Sequence, residues 1–124
     1  MGEDYPWAGD RRKALFYDNS VYYYSGVKNQ FRVDAYVTET LMADLVLHDR
    51  HPSAFLVYLQ LWYRSRSGAS RVPLSHRGMA HATGLSKSAV QAAIRTLTRR
   101  RLIRATRESS TAVPRYTVLR PWRK

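Results

Sequence analysis

The chain has 124 residues, of which 44% are hydrophobic, no cysteine, and a formal net charge of +12. That length suits one ordinary domain able to bury a core, and the lack of cysteine excludes disulfides and thiolate metal sites. No apolar run approaches the roughly 20 residues needed to cross a bilayer, and Met-Gly-Glu-Asp-Tyr-Pro-Trp at the N-terminus is no secretory signal, so a cytoplasmic protein without membrane association is expected.

Where the charge sits matters more than its size. Residues 1–74 hold nine Lys/Arg and eight Asp/Glu, a net of +1, whereas residues 75–124 hold twelve Lys/Arg and a single acid, Glu108, a net of +11. The second half is a polycation and its natural partner is a polyanion. Basicity by itself does not separate DNA from RNA or from an anionic membrane.

Residues 1–13 are polar and read as a loose tail. Ala14-Leu-Phe-Tyr17 and Val21-Tyr-Tyr-Tyr24 flank the turn-rich Asp18-Asn19-Ser20, which predicts a hairpin or a partner-binding arm within an N-terminal extension over residues 1–30. Phe31-Arg-Val33 reads as a short extended piece. Thr38 to His48 predicts a helix, with Thr38 as its N-cap and Leu41, Met42 and Leu45 on one face. Pro52 suits the first position of a further helix running to Ser65, whose stripe of Phe55, Leu56, Leu59, Trp62 and Tyr63 marks it as the central core helix, ended by Gly68. Arg71-Val72-Pro73-Leu74 is extended, and Pro73 confines it to an edge. Two more helices are predicted, from Ser75 to Thr83 and from Ser86 to about Arg100. Leu102–Thr106 and Arg115–Leu119 then form a hairpin around a polar loop containing Pro114.

The segment from Ser75 to Leu97 carries the function. Ser75 and Ser86 cap its two helices, and Gly84 supplies the left-handed backbone that closes the first before a tight bend. Met79, Leu85, Val90, Ala93, Ile94 and Leu97 form the shared apolar face, which packs on Phe55, Leu59 and Trp62. Burying Val90, Ile94 and Leu97 turns Lys87, Ser88, Gln91 and Arg95 outward, a row without an acid. Arg and Gln can bond guanine and adenine edges in two places at once. The first turn, from Ser86 to Ser88, also offers backbone N–H groups to a phosphate.

Met79-Ala80, Thr83-Gly84-Leu85-Ser86, Val90 and Ile94, with the exit Leu97-Thr-Arg-Arg-Arg-Leu-Ile103, resemble bacterial and phage winged helix-turn-helix domains, including GntR-type and MarR-type repressors. Upstream, Phe31-Arg-Val33, the Thr38 helix and Pro52-Ser-Ala-Phe55 resemble the helix-turn-helix module of phage and plasmid replication proteins. The resemblance implies an α+β, mostly α fold: a winged helix-turn-helix over residues 31–124, with its helical pair at 75–100 and its wing at 102–119. It places the second helix in the major groove and the wing on flanking backbone. Recognition then falls to Ser86, Lys87, Ser88, Gln91 and Arg95, wing contacts to Arg107, Ser109, Ser110 and Arg115, and phosphate contacts to Ser75, Arg77, Arg99, Arg104 and the C-terminal tail. The basic run Arg99-Arg100-Arg101 departs from the acidic or mixed sequence common at that place in these families.

Each feature has a plainer reading. The helical pair could be structural, Gln91 and Arg95 could be solvated surface, and the Tyr22–Tyr24 run more often packs in a strand than stacks on bases. His48, His51, His76 and His81 lack the spacing and the carboxylate neighbours of a metal site. No carboxylate pair, phosphate loop or Ser/His/Asp arrangement points to an enzyme or a cofactor. The expectation is therefore a non-enzymatic, sequence-specific regulator of transcription that binds double-stranded DNA. Because one helix reads few base pairs, a homodimer is expected, with the N-terminal segment as its dimer element. The alternatives are a replication or mobile-element protein that binds DNA and a winged helix that binds RNA or docks on protein.

Overall fold

The structure, a computed structural model, describes residues 30–65 and 71–123. The hairpin expected at 14–24 and the helix stop expected at Gly68 lie outside those residues. Residues Val33–Lys124 form one compact unit, with helices and a three-stranded antiparallel sheet in an α+β arrangement.

Helix α1 (residues 35–48) begins earlier than its sequence suggests, and Thr38 does not cap it. Val37 N donates to Asp34 O at 2.9 Å to start the first turn, and the Thr38 hydroxyl points back to Ala35 O at 3.1 Å. Two stretches, Val37–Leu41 and Asp44–His48, are π-helical, with bonds such as Asp49 N to Asp44 O closing a turn wider than an α-turn. Val37, Leu41 and Leu45, spaced four apart, are all buried, while Met42 turns outward. Phe31–Val33 belong to no strand.

Helix α2 (Pro52–Arg64) starts on Pro52, whose absent N–H would have lacked an intrahelical partner anyway. Its buried face is Ala54, Phe55, Val57, Tyr58, Leu61 and Trp62. The expected stripe is rotated, because α2 is covered by α1 on one flank and by the later helices on the other. Leu56 and Tyr63 consequently lie exposed.

Strand β1 (Val72–Pro73) leads to α3 (His76–Thr83) and α4 (Lys87–Arg99). Both N-caps form as the serines dictate: Ser75 Oγ accepts from Gly78 N at 2.9 Å, and Ser86 Oγ accepts from Ala89 N at 3.1 Å. Gly84 closes α3 at φ 78°, the left-handed region a side chain disfavours. Met79, Val90, Ala93 and Leu97 are fully buried, and Leu85 and Ile94 pack partly buried against the same core.

Helix α4 ends in a Schellman turn, in which Arg101 N donates to Thr98 O and Leu102 N to Leu97 O. Strands β2 (Ile103–Thr106) and β3 (Arg115–Val118) follow as an antiparallel pair with Ile103 opposite Val118 and Thr106 opposite Arg115. The strand order is β1-β3-β2. Pro73 therefore sits on an edge, paired with Arg115, where its missing donor costs no ladder bond.

The C-terminal tail returns to the start of α1. Trp122 stacks on Tyr36, with ring centroids 4.5 Å apart, and lies nearly parallel to Trp62 at 6.2 Å. Its Nε1–H donates to Asp34 Oδ2 at 2.8 Å, and Arg123 Nε donates to the same oxygen at 2.7 Å. These bonds hold the Asp34 carboxyl down at about 2, the Arg123 bond contributing most and the Trp122 bond next.

Candidate nucleic-acid interface

The cap bond at Ser86 sets where α4 begins, and the burial of Val90, Ala93 and Leu97 sets which way it is turned. Lys87, Ser88 and Arg95 are exposed as a result, and Gln91 is half-buried rather than free in solvent. Its Nε2 lies 3.5 Å from His76 Nδ1, at the outer limit of a hydrogen bond. Neither α3 nor α4 contains an acidic residue.

A shallow cleft of about 260 Å³ gathers part of this set. Ser75, His76 and Arg77 from the start of α3, Lys87 from the start of α4, and Arg107 with Thr111–Pro114 from the β2–β3 loop all line it. Three cations from three separate elements thus share one opening with two helix N-termini, whose free N–H groups favour an anion. Ser75 can still donate its hydroxyl hydrogen, because the cap bond uses only its oxygen as an acceptor. Arg107 is steadied by a bond from its Nη1 to Ser110 O at 3.2 Å.

His76 is the member of this cleft that sequence reasoning missed. Burial lowers its pKa, and the positive charges of Arg107 and Lys87 lower it further. Its position directly after a capping serine was the available signal. Two other histidines have separate engagements: His51 Nδ1 meets Thr96 Oγ1 at 2.8 Å and His48 Nδ1 meets Asp49 Oδ1 at 3.1 Å. Among the described residues no three His, Asp or Glu side chains stand together as a metal site.

The remaining candidates are more dispersed. Arg115 shares a second cleft of about 220 Å³ with Arg71, Arg107 and Glu108. Ser109 and Ser110 lie exposed in the β2–β3 loop, and Arg104 is exposed on β2. Arg99 is exposed, with its guanidinium 3.5 Å from Thr96 Oγ1. Two cations of the tail are engaged within the protein. Arg123 is held by Asp34, and the Arg120 guanidinium lies 4.3 Å above the Trp62 ring, whose π-face lies against a guanidinium with a buried Nε that has no hydrogen-bond partner among the described residues. Arg100 is likewise occupied, bonding Asp49 at 3.2 Å and Asp44 at 3.5 Å.

No family model, curated protein or solved structure matches the chain. Among the described residues, no helix is long and apolar enough to cross a membrane.

Proposed function

We propose that this protein is a winged helix-turn-helix that binds double-stranded DNA, with α3 and α4 as the helix-turn-helix and the β2–β3 hairpin as the wing. The observation that carries the reading is the cleft in which Arg77, Lys87 and Arg107 converge beside the acid-free outer row of α4. The cleft would take a backbone phosphate and fix the register. With Lys87 on that phosphate, Ser88, Gln91 and Arg95 would then face base edges in the major groove. No chemical step is involved: the protein acts by occupying its site, as a regulator of transcription does. One α4 reads only a few base pairs, so two copies on a pseudopalindrome are proposed, with half-sites about one helical turn apart.

Selection of bound duplexes from a random pool, followed by titration at rising salt, tests the reading. The expected result is an enriched sequence and a log Kd that climbs steeply with log salt. Equal affinity for every duplex, or tighter binding to RNA, would overturn it.

A further inference from the structure

Helices α1 and α4 end in the same unusual way. Each is followed by an arginine in the left-handed backbone region, Arg50 at φ 52° and Arg101 at φ 57°, and among the described residues no other non-glycine side chain has a positive φ. Glycine adopts this conformation at no steric cost, whereas a side chain there carries strain. Both arginines are exposed and, among the described residues, neither has an ion-pair partner.

The two turns meet in space. Asp49, just before Arg50, accepts a bond from Arg100, and His51, just after it, bonds Thr96 in the last turn of α4. Arg99 reaches the same Thr96 hydroxyl. These bonds bring the chain at Arg50 to the exit of α4, where Arg99 and Arg101 also stand, at the opposite end of that helix from the Lys87 cleft. The two acids nearby, Asp44 and Asp49, both pair with Arg100. The carbonyls of Thr96, Leu97 and Thr98, which would repel an anion, accept backbone N–H groups from residues 100–102.

We propose that Arg50, Arg99 and Arg101 form a second phosphate-contact patch for the same duplex, an inference that rests on the DNA-binding reading above. At 13 residues α4 is about 20 Å long, against a major groove roughly 12 Å wide. A helix laid across that groove puts the Lys87 cleft on one strand's backbone and the arginine patch on the other. The left-handed backbone at Arg50 and Arg101 would then present their charges to the duplex.

The left-handed backbone also supplies the test. Arg50→Gly and Arg101→Gly delete the side chain where glycine is the easiest residue, so melting temperatures should stay level or rise. Binding of a mixed-sequence DNA duplex should nevertheless weaken by roughly eightfold per variant at about 0.1 M salt, and the salt slope should drop by about 0.9 for each phosphate lost. The Arg50→Gln and Arg101→Gln pair keeps a side chain on that backbone and should lose the same slope. If all four variants keep wild-type affinity and slope while Lys87→Ala and Arg107→Ala weaken binding, the second patch is overturned and the cleft stands. If the wild type shows no salt-dependent duplex binding, the DNA reading fails and the patch with it.

Discussion

Tyr58→Phe removes one oxygen atom from the centre of the molecule. Tyr58 is fully buried in α2, and its hydroxyl donates to Leu119 O at 2.9 Å, at the point where the chain leaves β3 for the tail. Leu119 N in turn donates to Leu102 O at 2.9 Å, so this bond ties the hairpin to the helices. Burial pushes the Tyr58 pKa upward, which keeps the hydroxyl neutral and donating across any working pH. A net hydrogen bond contributes about 1 kcal/mol, and an acceptor left bare in the interior costs up to about 3 kcal/mol. Leu119 is only half-buried, so water can partly replace the hydroxyl and the loss should fall near 1–1.5 kcal/mol. For a unit of about 90 residues this lowers the melting temperature by roughly 4–12 °C. Tyr116→Phe is the matched control: Tyr116 is equally buried, but among the described residues its hydroxyl bonds no protein acceptor, and its loss should cost less than about 0.5 kcal/mol. Thermal unfolding followed by circular dichroism gives both values. Equal shifts for the two variants would refute the assignment of a stabilising role to the Tyr58 bond.

Three further outcomes are expected. Asp34 has a carboxyl held at about 2, below its ordinary value of 3.8, so its contribution is complete above about pH 4 and is lost as pH falls towards 2. Melting temperature should decline through that window in the wild type and less steeply in Asp34→Asn, and parallel declines would exclude Asp34 as the source. Gly84→Ala meets no atom within 4 Å, so its cost is that of the left-handed backbone alone, about 1 kcal/mol by urea unfolding. A loss beyond about 3 kcal/mol would show that the turn carries packing as well. Arg95→Ala should cost about 1–3 kcal/mol at its cognate base pair and relax preference there, and an unaltered selected sequence would remove Arg95 from the reading face.

Legibility in the sequence follows the range of the interactions. Ser75, Ser86, Pro52 and Gly84 act within a few positions of themselves and are legible, because a cap or a closing turn needs nothing beyond its own neighbours. The start of α1 is not legible, because burying Val37 against the core extends the helix back past Thr38 and outweighs its local appeal as a cap. The rotated face of α2 has a similar cause. Its apolar residues ring much of the helix, and only the neighbours chosen by the fold decide which of them is covered.

The candidate site divides along the same line. The sequence by itself determined that the second half is a polycation, that α4 presents Lys87, Ser88 and Arg95, and that a polar loop joins two strands behind it, since charge count and helical spacing need no tertiary partner. The tertiary structure alone decided which cations remain available. Arg100 is drawn to acids about 50 residues earlier, Arg120 to a tryptophan face, and Arg123 to an aspartate 89 positions away. It also brought Arg107 beside Lys87 and His76, and Arg50 beside the exit of α4. A linear pattern records which charges a chain owns, but the Coulomb energy that decides their use depends on distances set by packing between segments remote in sequence.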